Sequence, residues 1–139
     1  MIQFKLSSEQ KLIQESTKEF AQQYIYPGVI DRDQNSIFPK SQIRKLGELG
    51  YMGMMIPSKW GGSELDTISY VIAIEEIAAV ELATSTIMSV NNSLVCQVLN
   101  DFGTEEQKRK YLKSLASGKK LGAYCLSESQ SGSDASNIT

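Results

Sequence analysis

The chain has 139 residues, a formal net charge of −2 and no histidine. That length suffices for one domain with its own core, and 41% hydrophobic with 22% charged residues is the composition of a globular protein. The mildly acidic balance excludes an electrostatic nucleic-acid binder, and the lack of histidine excludes a Ser-His triad and imidazole metal ligation within the chain.

Cys96 and Cys125 lie far apart and in no CxxC spacing, which suits two reduced thiols in a cytosol-like compartment. The N-terminus has no charged-then-apolar leader pattern, and the apolar runs are far shorter than a membrane span. The expectation is a soluble cytoplasmic protein without a membrane span.

The first helix is expected to start at Ser7 or Ser8, since Ser7 and Gln10 have capping-box spacing and Glu9 suits the first turn. Leu12, Ile13, Phe20, Ala21, Tyr24 and Ile25 recur at helical spacing as one stripe, and Pro27 ends it. Residues 28–38 read as a polar connection. Pro39 opens a second helix over Ser41 to Leu49, with Ile43, Leu46 and Leu49 on one face and Gly50 as its C-terminal stop.

Tyr51 to Pro57 is apolar and rich in methionine. Filling a gap between helices is favoured over a flexible ligand surface. Gly61-Gly62 lacks the Lys and Ser/Thr of a phosphate loop, so a tight turn beside Trp60 is the better reading.

Asp66 or Thr67 caps a third helix whose stripe runs through Tyr70, Ala73, Ile74, Ile77, Ala78 and Leu82, widened by Val71, Ile72 and Val80. Glu75 and Glu76 are neighbours and diverge by roughly 100° on a helix. With Glu81 they read as a solvated or salt-bridged rim, not a convergent acid-base pair.

Thr84 to Phe102 reads as a fourth helix with Met88, Leu94, Val95, Val98, Leu99 and Phe102 on its face, stopped by Gly103. Ser89, Asn91, Asn92 and Ser93 interrupt that face. Two readings stay open for them: buried interhelical hydrogen bonds, or the lining of a ligand groove. Thr104 to Gln107 repeats the capping-box spacing and starts a fifth helix anchored by Tyr111, Leu112 and Leu115 and closed by Gly118. Its cations Lys108, Arg109, Lys110 and Lys113 suit a solvated C-terminal half.

After Lys120 the period changes to that of a strand. Pleating puts Ala123, Cys125 and Ser127 on one face and Tyr124 and Leu126 on the other. Ser129, Ser131, Gly132 and Ser133 follow as hydroxyls and small-residue amides. By composition this loop is either a serine-rich turn or an anion site. The layout is α+β and mostly α: a five-helix bundle over 1–118, then over 119–139 the first strand and loop of a β-domain, expected to be cut short because one strand has no partner.

The order of motifs resembles the acyl-CoA dehydrogenase family, flavoenzymes that desaturate acyl-CoA thioesters. The carriers are Phe38-Pro39, Lys45 to Gly50, Ile56-Pro57 with Gly61-Gly62, Gly103 to Lys108 with Lys110 to Leu112, Leu115 to Gly118, and above all Gly122 to Glu128 followed by Gly132-Ser133-Asp134. Met88 to Leu94 is similar to the segment near the acyl pocket of short-chain members.

The resemblance implies FAD as cofactor, held by Tyr124, Cys125, Leu126, Ser127, Gly132 and Ser133, with Ser133 also touching the acyl-CoA substrate. It implies oxidation of acyl-CoA to trans-2-enoyl-CoA in fatty-acid β-oxidation, an electron-transfer flavoprotein as partner, and a homotetramer or other homo-oligomer. The catalytic base of the family lies in its C-terminal domain, so no catalytic residue is assigned here and the chain alone is expected to be inactive. Ser129 and Ser131 stand where the family usually has proline and alanine, which would loosen the loop. An acyl-CoA oxidase or a flavin monooxygenase on the same scaffold, or a non-enzymatic helical interaction module complete at this length, are the alternatives.

Overall fold

The computed structural model describes residues 5–139; Met1 to Phe4, where the reading of the N-terminus begins, lie outside the described residues. Ser7 caps the first helix as its spacing requires. Its hydroxyl accepts the Gln10 N–H at 3.1 Å while the Gln10 side chain accepts the Ser7 N–H at 3.0 Å. Helix α1 (Ser8–Phe20) runs on into a π turn, Ala21–Ile25. Phe20, Ala21 and Ile25 are buried, but Leu12 is 65% exposed and Tyr24 faces outward under the Lys45 ammonium. Thr17, polar in the sequence, is fully buried instead, its hydroxyl bonded to the Tyr51 phenol at 2.8 Å.

The expected polar connection over 28–38 contains a short helix, α2 (Val29–Gln34). Six residues cannot nucleate a helix alone in water. Tertiary contacts hold this one. Gly28 turns the chain at φ +78°, and the Arg32 guanidinium reaches back to the Pro27 carbonyl at 2.9 Å and to that of Ile25, and across to Glu81 at 2.8 Å. Among the described residues the bundle therefore has six helices, where the sequence suggests about five.

Helix α3 (Lys40–Glu48) buries Ile43 and Leu46 and is closed by Gly50 at φ +82°. Leu49, expected on the same face, is exposed, because the helix has already ended there. The methionine segment fills the interior: Met52, Met54 and Ile56 are all buried. Gly61 and Gly62 form the tight turn beside Trp60, and a Cβ on Gly62 would lie 2.1 Å from the Ile56 carbonyl oxygen.

Asp66 caps helix α4 (Thr67–Ala78) by accepting the Ile68 and Ser69 N–H groups at 2.8 and 3.0 Å. The Ser69 hydroxyl, then its backbone N–H, hold the Asp66 carboxyl below its ordinary value. Asp66→Ala is expected to cost about 1 kcal/mol in urea unfolding. A lowered folded value means the stabilisation is present above the unfolded carboxylate range and is lost as pH falls through the folded one. The difference between Asp66→Ala and the parent should thus shrink below about pH 4.

Helix α4 packs between α1 and α5, burying Tyr70, Ile72, Ala73 and Ile77. Helix α5 is one rod built of Leu82–Ser89, a π segment Val90–Cys96, and Gln97–Phe102. Its expected apolar face splits. Met88 and Cys96 are buried, whereas Leu94 and Val98 are exposed and Phe102 is 83% exposed. Leu82, expected on the stripe of α4, opens α5 at 71% exposure. Helix α6 combines Glu105–Gln107, a π turn Lys108–Leu112 and Lys113–Ala116, and starts with the second capping box, Thr104 and Gln107. Leu112 and Leu115 are buried, Tyr111 is exposed, and Lys108 pairs with Glu105 at 3.6 Å.

Two cores result. One joins α1, α3, α4 and the start of α5 around Ile25, Leu46, Met52, Ile77 and Met88. The other joins α6 to α5 around Ile56, Trp60, Cys96, Leu112 and Leu115. Each large apolar side chain so buried contributes about 1.5–3 kcal/mol. Among the described residues no helix is long and apolar enough to cross a membrane.

Candidate functional site

The site expected from the sequence lies after α6. Gly118, at φ +68°, turns the chain away from the helix, and residues 121–127 belong to no helix or ladder. They are not a paired strand. Among the described residues the only β pairing is the isolated bridge between Glu128 and Ser131. The strand period was legible, but a ladder needs a second strand and none of the described residues supplies it.

The run from Ala123 to Ser127 is exposed, and its five backbone N–H groups have no protein acceptor among the described residues. Tyr124, Cys125, Leu126 and Ser127 are all exposed. Free backbone donors beside a hydroxyl suit an electron-rich ligand edge or an incoming strand.

The loop that follows is closed by its own bonds. Glu128 N–H donates to the Ser131 carbonyl at 2.8 Å and Ser131 N–H to that of Glu128 at 3.1 Å, with Ser129 and Gln130 at the tip. The Ser131 hydroxyl donates to the Asp134 carbonyl at 2.9 Å, and the Asn137 amide to that of Gln130 at 2.8 Å. Ser131 is buried in this turn. It therefore adds a closing bond that alanine cannot make, where the sequence suggested a looser loop. Gly132 and Ser133 lie on the outer side, exposed, and nothing stands within 4 Å of where a Gly132 Cβ would be. That opening leaves the Gly132 and Ser133 backbone approachable, as the pyrophosphate contact expected of them requires.

The six candidate residues are thus brought into one continuous exposed edge, but not into a cleft. The surface grooves of about 720 and 650 Å³ lie elsewhere, the first along Ile43 and Leu121, the second along Val29, Phe38 and Glu81. Of Met88 to Leu94, Met88, Asn91 and Asn92 point into the bundle. The two asparagines make interhelical hydrogen bonds and do not line a groove. Cys96 is sealed in the second core, and burial pushes its thiol up to about 12, so it stays protonated and unreactive; Cys125 is exposed on the candidate edge.

The family described as Acyl-CoA dehydrogenase, N-terminal domain, matches residues 7–119. The chain is similar to the short-chain specific acyl-CoA dehydrogenase of Clostridium acetobutylicum, 40% identical over 131 residues that cover 94% of this chain and 35% of that protein. Butyryl-CoA dehydrogenase from Megasphaera elsdenii superposes with a TM-score of 0.88 at 35% identity, over 99% of this chain and 37% of that one. A chain in the structure described as the electron transferring flavoprotein of Acidaminococcus fermentans superposes with a TM-score of 0.92 at 40% identity, over 98% of this chain and 36% of that one. The chain thus spans just over a third of the length of these relatives.

Proposed function

Since the chain belongs to the acyl-CoA dehydrogenase family as its N-terminal domain, we propose that it is the first part of an FAD-dependent acyl-CoA dehydrogenase of the short-chain type. Residues 1–118 form its helical domain and 119–139 begin its middle β-domain. Its place of work is the cytoplasm, its electron acceptor is an electron-transfer flavoprotein, and the assembled enzyme is a homo-oligomer.

The observation that carries this reading is the exposed run of unpaired amides from Ala123 to Ser127. When bound, FAD supplies the acceptor for the hydride that leaves the acyl β-carbon, giving the trans-2-enoyl thioester. The residues of this chain bind and tune. The Ser127 hydroxyl and those backbone amides of Tyr124, Cys125 and Leu126 that face the flavin would hold its pyrimidine edge and favour negative charge there. Donors fixed in advance stabilise that charge at no cost in reorganisation. Gly132 and Ser133 amides would hold the pyrophosphate, and Ser133 would also meet the CoA portion of the substrate. No carboxylate of this chain is assigned as the base that takes the α-proton.

The test uses the product of the complete reading frame that contains this chain. It is expected to purify yellow and to bleach anaerobically with butyryl-CoA. A yellow protein that no acyl-CoA reduces would sink the dehydrogenase assignment. In the same protein, Ser127→Ala is expected to slow flavin reduction by at least about tenfold while leaving the thermal midpoint nearly unchanged. Equal loss of both would assign the hydroxyl to folding alone.

A further inference from the structure

Asn91 sits at the start of the π segment of α5 and is fully buried. Its Nδ2 donates to the Met52 carbonyl at 2.7 Å and to the Leu115 carbonyl at 3.2 Å, with Cys96 Sγ 3.6 Å away. Those bonds tie α5 to the methionine segment and to α6. They use both amide hydrogens. The remaining acceptor, Oδ1, is aimed outward and takes the Gly122 N–H at 2.9 Å.

That bond is the only hydrogen bond between residues 121–139 and the helices among the described residues. A second observation converges on the same point. A Cβ on Gly122 would lie 2.6 Å from Val95 Cγ1, so the segment approaches α5 at a separation that only glycine allows. The two amide hydrogens of Asn91 serve the core, and its Oδ1 serves only the segment.

We propose that Asn91 is a positioning residue, tethering Gly122 and so setting where and in which register Ala123 to Ser127 leave α5 toward the flavin. This rests on the flavin reading given above. Register matters because a slip of one residue exchanges the face carrying Ala123, Cys125 and Ser127 for the one carrying Tyr124 and Leu126. One bond and one close contact at residue 122 fix that parity before any further strand or ligand arrives.

Amide exchange followed by NMR in the 139-residue chain reads the tether without flavin. Gly122 is expected to exchange at least about tenfold more slowly than Tyr124 to Ser127. The protection should vanish in Asn91→Ala and in Gly122→Ala. Asn91→Ala also strips bonds from the core and risks unfolding. Gly122→Ala leaves the Met52 and Leu115 bonds intact, so the thermal midpoint of the bundle should hold.

In the product of the complete reading frame, titration with FAD should show binding weakened by about tenfold in Gly122→Ala, with a shifted visible band. Adding Val95→Ala, which removes the two Cγ atoms facing the new methyl, should restore part of both. Free exchange of Gly122 in the unaltered chain overturns the tether. Protection there, with FAD affinity and band unmoved in Gly122→Ala, overturns the positioning role. Failure of the unaltered product to take up FAD overturns the flavin assignment instead, a result the exchange measurement does not share.

Discussion

Glu81→Leu is expected to destabilise the bundle by about 3–5 kcal/mol in urea unfolding, because it strands a buried guanidinium. Arg32 and Glu81 are 10% and 8% exposed and meet at 2.8 Å. Arg32 also donates to the carbonyls of Ile25 and Pro27, at the end of α1, and Glu81 accepts the Thr84 hydroxyl at the start of α5. One pair therefore joins three helix ends, with the cation placed where the last carbonyls of α1 concentrate negative charge. Arg32→Met should cost a similar amount, since it leaves the carboxylate buried. The double variant Arg32→Met/Glu81→Leu should recover most of the loss, because a buried pair adds little net stability over apolar groups of like volume. Single-variant losses below about 1 kcal/mol would mean that the pair behaves as a solvated surface bridge.

Asn92→Ala is expected to cost about 3–5 kcal/mol, since it opens a cavity and orphans polar backbone at once. Asn92 is fully buried; its Oδ1 accepts the Met54 N–H at 2.7 Å, and its Nδ2 donates to the Tyr51 and Met88 carbonyls at 2.8 and 2.9 Å. The Tyr51 carbonyl and the Met54 N–H stand at the two ends of one 3-10 turn, Tyr51–Gly53, whose poorer bond geometry replaces the lost partner only in part. Met88 belongs to the rod of α5 and is less exposed to the loss. Unfolding in urea gives the magnitude, and faster exchange of the Met54 amide locates it. A loss near that of a simple cavity, with Met54 still protected, would show that solvent or a neighbouring group takes over the bond.

Much of the fold was legible because its signals are local. Ser7 with Gln10, Asp66, and Thr104 with Gln107 each cap a helix through groups within a few residues, and Gly50 and Gly118 stop helices through their own backbone freedom. The errors share one cause. Leu12, Leu49, Leu82 and Phe102 satisfy helical periodicity yet lie exposed, while Thr17, Ser69 and Thr84 break it yet lie buried. Which side of a short helix faces a core depends on the neighbour it meets. The π turns in α1, α5 and α6 shift the periodicity further, and in α5 the wider turn lets the adjacent Asn91 and Asn92 both face inward.

By itself the sequence determined the helical class, the caps, the family and the stretch that carries the candidate site, since each is written in residue type at short spacing. Only the tertiary structure decided three things. Helix α2 exists because Arg32 finds Glu81, 49 residues away. The polar run on α5 serves interhelical bonds because Met52, Met54 and Leu115 converge on it. The candidate edge is joined to the bundle by the bond between Gly122 and Asn91, 31 residues apart. Contacts between residues so distant in the chain leave no spacing to read, because folding alone brings them together.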